Sequence, residues 1–155
     1  QRGEYGAICR QGPELARHDA DFAAAALLVA QACANSGRLP EALTWVEEAI
    51  PRHRLNPDGH YLRAMILDEQ GRTAEALDAL RTTLYLAADF LPAHVALGNI
   101  ARRGGDRRQA ERNFRNALQL LADYGDDDPV PHAEEMRAGR LREAVIAALG
   151  GDGAG

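Results

Sequence analysis

A glycine recurs at a fixed interval along the chain, and this period constrains the fold more than any other feature. Four glycines stand 34 residues apart without a slip: Gly37, Gly71, Gly105 and Gly139. Each one is followed five residues later by an alanine. Self-similarity at a fixed period of a few tens of residues is typical of repeat architectures, in which each unit is one supersecondary element.

Apolar residues on both sides of each glycine follow the period of an α-helix. In the third copy, Leu97, Gly98 and Ala101 precede the turn on one helical face, and Ala110 to Leu121 continue the pattern after it. The chain is 46% hydrophobic but only 5% aromatic, with abundant alanine, which favours closely packed helices over a sheet. Each unit is therefore predicted to be an antiparallel pair of helices joined at its glycine.

The periodicity predicts four helix pairs, the last of them shortened because Pro129 and Pro131 break a helix. We expect a lead-in over 1–17, a repeat domain over 18–149 with repeats at about 19–54, 56–88, 90–124 and 131–149, and a flexible tail over 150–155. The predicted helices are Asp19–Ser36 with Pro40–Arg52, Pro57–Gln70 with Thr73–Ala87, Pro92–Arg103 with Arg107–Tyr124, and His132–Ala138 with Leu141–Leu149.

Small residues stand at matching places in the predicted pairs. The first helix carries Ala30, Ala64 or Gly98 at its middle. The second helix alternates small, large and small residues, as in Ala42-Val46-Ala49, Ala76-Leu80-Thr83 and Ala110-Phe114-Ala117. This pattern at a 34-residue spacing resembles the tetratricopeptide repeat. The resemblance implies an all-α superhelical solenoid of antiparallel helix pairs, with three full repeats and a shortened fourth, capping pair.

The charge pattern argues against a nucleic-acid or membrane-surface protein, because the net charge is −5 and both signs are mixed along the chain. All the basic residues are arginine. Six of them cluster around the third turn: Arg102, Arg103, Arg107, Arg108, Arg112 and Arg115. Because Asp106 and Glu111 lie among them, we interpret this cluster as a solvated, salt-bridged helix face, with a binding patch as the alternative.

No residue pattern indicates catalysis or a cofactor. The histidines lack metal-ligand spacing, and Asp126 to Asp128 lack the alternating ligands of a calcium loop. No serine or cysteine nucleophile has an evident base partner. The chain is therefore predicted to be no enzyme by itself and to bind neither cofactor nor metal.

The two cysteines cannot form a disulfide framework, and Cys33 on an apolar helical face is predicted to be a buried thiol. A reducing, cytoplasmic setting fits this interpretation. The apolar run from Phe22 to Ala34 is too short to span a bilayer, so no membrane insertion is expected, and it lacks the basic start of a signal peptide.

The resemblance also implies where a partner would bind. In tetratricopeptide arrays the first helices line a concave face that holds peptide segments. The positions on this face are Gln31 and Asn35 in the first repeat, Tyr61, Met65 and Asp68 in the second, and Val95, Asn99 and Arg102 in the third. Chaperone-binding members hold a carboxylate with lysines where this chain has Leu27, Tyr61 and Val95, so chaperone-tail binding is not expected.

A narrower resemblance covers about Leu80 to Ala144. It rests on LRTTLYL, DF, PAH and LGN in succession, then FRNALQLL, and finally DPVP and AGRL. These segments are similar to the C-terminal tetratricopeptide extension of bacterial chemotaxis receptor methyltransferases of the CheR type. Such enzymes methylate receptor glutamates with S-adenosylmethionine, and their catalytic domain is absent from this sequence, so no catalytic or cofactor residue carries over.

Two functions remain open at this stage. The first is a regulatory module of such a methyltransferase, which binds the cytoplasmic region of a chemoreceptor or the parent's own catalytic domain and influences receptor or site choice. The second is a free-standing adaptor or assembly factor that holds a peptide segment on its concave face.

Overall fold

A computed structural model describes residues 22–133 and 135–151 of the chain. Within these ranges the regular structure is α-helical, and a short 3₁₀ turn at Ile50–Arg52 extends the second helix. The predicted lead-in over 1–17 and the predicted start of the first helix at Asp19 lie outside the described residues. The helices are α1 Phe22–Asn35, α2 Leu39–Ala49, α3 Pro57–Glu69, α4 Thr73–Leu86, α5 Leu91–Arg103, α6 Arg107–Leu121 and α7 Ala138–Gly151.

The chain divides into two compact units, Gln1–Leu86 and Ala87–Gly155. In the first unit α1 pairs with α2 and α3 pairs with α4, and α3 also packs on α2. In the second unit α5 pairs with α6, and α7 packs on α6. The antiparallel helix pairs predicted from the 34-residue period are therefore present for the first three repeats.

The three turns within these pairs share one geometry, which the glycines make possible. Gly37, Gly71 and Gly105 have φ angles of 79°, 77° and 81°, a left-handed conformation that side chains with a Cβ rarely adopt. In each turn the glycine N–H donates to the carbonyl three residues earlier. The following residue donates to the carbonyl five residues before it, as Arg38 does to Cys33 at 2.8 Å. This pair of bonds is the Schellman motif, which satisfies the last carbonyls of the preceding helix.

The residues after each turn glycine fasten the start of the second helix. Arg38 pairs with Glu41 at 2.6 Å, and Arg72 pairs with Glu75 at 2.8 Å. The hydrogen bond from the Arg72 guanidinium lowers the pKa of the Glu75 carboxyl below its usual value. In the third turn Asp106 replaces the arginine and caps α6 by accepting from the backbone N–H of Gln109 at 3.1 Å.

The small residues predicted to lie where helices approach each other are buried. Ala30 and Ala64 are fully buried, as are the large partners Val46 and Leu80 on the second helices. Thr83 fills a small-residue place in the second repeat, where its hydroxyl donates to the Ala79 carbonyl at 2.8 Å. The core of the first unit is formed by Ala26, Val29, Ala30, Cys33, Ala42, Trp45, Val46, Ala49 and Ile66.

In the third repeat the two helices approach closely at Gly98. A Cβ added to Gly98 would lie 2.5 to 2.9 Å from three ring carbons of Phe114, which is itself buried. The phenyl ring thus lies directly against the backbone of α5. Around it the core of the second unit is formed by Leu91, Ala110, Phe114, Ala117, Leu121, Val130, Ala138, Leu141 and Val145.

The predicted helix His132–Ala138 is wrong, and so is the placement of Gly139 in a turn. The described part of 122–137 is an irregular loop in which the N–H of Val130 donates to the Met136 carbonyl at 3.0 Å. His132 and Glu135 adopt φ angles of 64° and 59°. The two prolines remove amide donors and fix the backbone, so the loop bonds to itself and to α7 rather than forming a helical turn.

Gly139 lies inside α7 and has a different role from the three turn glycines. Its N–H donates to the Asp126 carbonyl at 2.9 Å, and a Cβ there would lie 3.1 Å from the Cα of Asp126. The glycine therefore allows the loop to cross close over the helix. The last helix, α7, begins at Ala138 rather than at Leu141, and in the described residues the fourth repeat has one helix instead of two.

Arg142 fastens α7 to the end of α6. Its guanidinium donates to the carbonyls of Leu121 and Tyr124, both at 2.8 Å, and forms an ion pair with Asp126. The Leu121 carbonyl ends α6 and also accepts from the Tyr124 N–H at 3.0 Å, and the Tyr124 carbonyl lies beyond the helix end. One side chain thus satisfies the end of α6 and holds α7 against it.

Cys33 is not the free thiol that the sequence suggested. Its sulfur is disulfide-bonded, and the side chain is fully buried. The other cysteine of the chain, Cys9, lies outside the described residues. The reducing setting inferred from the cysteine content stays a prediction. No described helix is long and apolar enough to cross a membrane.

Replacing Gly98 with alanine tests the close contact with Phe114. Alanine favours helix by about 1 kcal/mol over glycine, but the overpacked methyl group costs about 1–3 kcal/mol. We expect a net loss of about 1 kcal/mol in the free energy of unfolding, measured by denaturant titration. The control is Gly104→Ala, because the nearest atom to that Cβ is 3.5 Å away and no loss is expected.

The same substitution in a Phe114→Leu background has the opposite expected effect. Leucine at this position reproduces the Ala64 and Leu80 combination of the second repeat, which has room for the methyl group. In that background Gly98→Ala should leave stability unchanged or raise it. An equal loss in both backgrounds would show that the phenyl ring is not what excludes the Cβ.

Candidate functional site

The five predicted concave-face residues of the first unit lie on two neighbouring helices. Gln31 and Asn35 are exposed on α1, where the Gln31 amide donates to the Asn35 side-chain oxygen at 3.0 Å. Tyr61, Met65 and Asp68 lie on α3 and are half-buried. Since α1 and α3 contact each other, these side chains belong to one region of the first unit.

Of the titratable groups in this region, Tyr61 is the one whose pKa is clearly shifted by its environment. Burial raises the pKa of its phenol above the ordinary value of 10.0, because an apolar surrounding disfavours the phenolate. The neutral hydroxyl can donate and accept hydrogen bonds, while the ring offers an apolar face. Tyr61 therefore supplies both apolar area and one polar group to this surface.

The three predicted residues of the second unit meet in one cavity. Val95, Asn99 and Arg102 from α5 line a space of about 340 Å³. Phe114 of α6 lines it as well, and α7 contributes the remaining residues, Ala144, Val145, Ala147 and Ala148. A cavity of this size is at the lower end of the range for small ligand pockets and is large enough for one side chain of a partner.

The lining of this cavity is apolar except for two groups. Asn99 offers an amide that can both donate and accept, and Arg102 offers an exposed guanidinium near the Phe114 ring, at 5.9 Å from its centroid. No acidic side chain lines the cavity. The arrangement suits an apolar group whose neighbouring polar atoms are an amide or a carboxylate, because Arg102 would attract the negative charge.

The sequence did not predict the wall that α7 contributes. The repeat alignment treated Ala144 as the counterpart of Ala110, inside the second helix of a fourth pair. Because the first helix of that pair does not form, α7 itself packs on α6, as α3 packs on α2. The one signal available was the spacing of small residues, since Ala144, Ala147 and Ala148 share a helical face.

Two of the histidines have structural roles at equivalent places in the second and third repeats. His60 Nε2 lies 3.0 Å from the Arg54 carbonyl oxygen, and His94 Nε2 lies 2.8 Å from that of Ala88. A carbonyl only accepts, so Nε2 donates in both cases. Each ring thus ties the segment that precedes a first helix to that helix. Among the described residues, no group of three or more histidine, cysteine, aspartate or glutamate side chains could hold a metal ion.

Comparison with solved structures identifies the architecture. The chain is similar to a crystal structure of MamA, with a TM-score of 0.70 at 14% identity over 96% of this chain and 86% of that one. It is also similar to the first tetratricopeptide domain of Spaghetti (RPAP3) bound to an HSP90 peptide, SRMEEVD, with a TM-score of 0.64 at 15% identity over 85% of this chain and 96% of that one.

A third similar structure is a tetratricopeptide repeat protein from Parabacteroides merdae, with a TM-score of 0.64 at 21% identity over 97% of this chain and 53% of that one. The fold is that of tetratricopeptide repeats. The predicted all-α fold class is thereby confirmed, and likeness at these identities extends to the fold alone. No family model matches the sequence, and no curated protein matches it either.

The raised pKa of Tyr61 predicts how stability changes at alkaline pH. The unfolded phenol ionises near pH 10, while the folded one ionises only at higher pH. The contribution of the neutral phenol is therefore complete below pH 10 and is lost as pH rises from 10 through the folded pKa. We expect Tyr61→Phe to lose less stability over this window than the wild type.

Denaturant titrations at a series of pH values from 8 to 11 would measure this difference. The control is Tyr85→Phe, since Tyr85 is 90% exposed. Parallel stability curves for Tyr61→Phe and the wild type would contradict the assignment of a buried, neutral phenol.

Proposed function

We propose that this chain is a non-catalytic protein-interaction module that binds a short peptide segment of a partner. The observation that carries the proposal is the cavity of the second unit, where three side chains expected at a binding face line one space. The cavity is open to a side chain, has apolar walls, and presents one amide and one guanidinium at its polar side.

Peptide binding fits the chemistry of this site better than binding of a free small molecule. An asparagine amide can bond to the N–H and the carbonyl of a peptide backbone at once, which fixes an extended segment without depending on its sequence. The apolar walls then select one side chain. A similar structure, the Spaghetti domain, holds a peptide, although the lysines expected for a chaperone tail are replaced here by Leu27, Tyr61 and Val95.

The residues of the first unit are proposed as a separate candidate surface for a partner. Gln31 and Asn35 offer exposed amides on α1, and Tyr61 and Met65 offer apolar area on α3. Asp68 would favour a basic residue of the partner. These assignments rest on the repeat positions and on the neighbouring placement of α1 and α3.

The narrower proposal is that the module regulates a chemotaxis receptor methyltransferase. It rests on the segments between Leu80 and Ala144 that are similar to the extension of those enzymes, and the comparisons with known proteins add no support to it. Its partner would be the cytoplasmic region of a chemoreceptor or the parent's catalytic domain. A free-standing adaptor is equally compatible with the cavity.

A cytoplasmic location belongs to the methyltransferase proposal, and the disulfide at Cys33 bears on it directly. Free-thiol labelling of protein extracted under acid-quenched conditions would measure the redox state in the native cell. A fully oxidised Cys33 would argue for an oxidising compartment and thereby against the methyltransferase module.

Binding through the cavity can be tested with two variants of the full chain. Asn99→Ala removes the amide, and Ala147→Phe places a ring in the cavity from the α7 side. Peptides selected from a random library by the wild type should bind Asn99→Ala at least about 5-fold more weakly, since it loses two hydrogen bonds that contribute about 0.5–1.5 kcal/mol each. Ala147→Phe should abolish binding of the same peptides.

Gln109→Ala is the matched control, because this polar side chain is exposed on α6 and lies outside the cavity lining. Circular dichroism would show that each variant retains its helical content. Selected peptides that bind all three variants with wild-type affinity would place the binding site elsewhere and overturn the proposal.

The methyltransferase proposal has its own test. Purified receptor cytoplasmic segments would be methylated by the parent enzyme with and without this domain, and the modified glutamates mapped by mass spectrometry. We expect a changed set of sites or receptors when the domain is removed, and the same change on substitution of Tyr61, Asn99 or Arg102. Identical sites and rates would leave the adaptor as the remaining proposal.

A further inference from the structure

Helix α6 carries a row of arginines on its outer face. Arg108, Arg112 and Arg115 follow at i, i+4 and i+7, so they share one face, and all three are exposed. We call this row the arginine stripe. It lies on the side of α6 opposite Phe114 and Ala117, which face the core. The stripe is thus separate from the cavity described above.

The stripe is only partly neutralised within the molecule. Arg115 pairs with Glu111 at 2.5 Å. Within residues 22–133 and 135–151 neither Arg108 nor Arg112 takes part in an ion pair or a side-chain hydrogen bond. Asp106, the acidic residue nearest to Arg108 in sequence, caps α6, and Glu111, the one nearest to Arg112, pairs with Arg115. Within the stripe, the salt bridge expected from the sequence is therefore present at Arg115 and not at the other two arginines.

The placement of these charges opposes the stability of the helix. Arg107 and Arg108 lie in the first turn of α6, where the helix dipole favours negative charge. Arg108 and Arg112 are like charges at i, i+4, and Arg112 and Arg115 are like charges at i, i+3, both of which destabilise a helix. Residues that oppose local stability without an internal partner are expected where an external partner binds.

We propose that the arginine stripe is a docking site for an acidic protein segment, in the form of a helix that carries carboxylates at i, i+4 and i+7. Over seven residues the stripe spans about 10 Å, which matches two turns of a partner helix. The planar guanidinium binds a carboxylate through two parallel hydrogen bonds. A second helix at this spacing would set three carboxylates against three arginines.

Charge complementarity favours a short acidic segment over an extended polyanion. Helix α6 contains four arginines and one glutamate, a net charge of +3, in a chain of net charge −5. Beyond the end of α6 stand Asp123 and the three aspartates from Asp126 to Asp128, all exposed. A nucleic acid or an anionic bilayer extending past the stripe would meet these carboxylates, whereas a two-turn segment would not.

The test uses the full chain and a fluorescent, alanine-based helical peptide with three glutamates at i, i+4 and i+7. Binding is measured by fluorescence anisotropy at low ionic strength. The variant is Arg108→Gln, Arg112→Gln and Arg115→Gln together. We expect its Kd to be about 10-fold higher than that of the wild type, since each exposed pair contributes modestly. Raising the salt concentration should weaken wild-type binding in the same direction.

The matched control removes three arginines outside the stripe, by Arg54→Gln, Arg81→Gln and Arg140→Gln together. Its net charge equals that of the stripe variant, and its Kd for the peptide should stay within about 2-fold of the wild type. Equal weakening by both triple variants would mean that net charge alone attracts the peptide, and this would overturn the proposal. Failure of the wild type to prefer the glutamate peptide over its glutamine counterpart would do the same.

Two further measurements separate the alternatives. Duplex DNA and vesicles with anionic lipids are tested in the same assay. If either bound as tightly as the peptide, and bound the stripe variant more weakly, this would overturn the choice of partner. The unfolding midpoint of the stripe variant is expected to equal or exceed that of the wild type, because unfavourable charges have been removed. A lower midpoint would show that the arginines serve the fold instead.

Discussion

The third helix pair depends on one contact, in which Gly98 midway along α5 meets the ring of Phe114 on α6. The equivalent residues of the first two pairs, Ala30 with Val46 and Ala64 with Leu80, are buried. The larger the second side chain, the smaller the first must be, because the interhelical space is already filled to crystal-like density. This contact fixes which faces of the two helices meet, and therefore which faces are left for the cavity and for solvent.

The sequence was sufficient for the first three pairs because local signals agreed there with the long-range packing. Gly37, Gly71 and Gly105 must be glycine for a backbone reason, the left-handed turn, and that requirement recurs at every period. Gly139 occupies the same register in a nearly identical sequence, yet it lies inside a helix. It is needed there because Asp126 crosses close above it. That requirement comes from a loop contact 13 residues away in sequence, which a periodic pattern does not encode.

The candidate site likewise has one part that could be predicted from the sequence and one part that could not. The positions of Val95, Asn99 and Arg102 came from the repeat resemblance, and their spacing of i, i+4 and i+7 puts them on one face of α5. The wall from α7 could not, because it depends on the loss of the preceding helix and on the Arg142 bonds to the end of α6. The bonding state of Cys33 could not be predicted either. Its place on an apolar helical face predicts burial correctly, but such a face accepts a thiol and a disulfide equally well.

The two proposed surfaces, the cavity and the arginine stripe, lie on different sides of α6. The core-facing side of α6 is committed to the contact with Gly98, and through Phe114 it forms the floor of the cavity. The stripe occupies the opposite side, where no packing requirement opposes the arginines and only helix stability is reduced. A partner at the stripe would leave the cavity accessible. Because the ring of Phe114 and the backbone of α5 are in direct contact, the hairpin is expected to hold both surfaces rigidly in place.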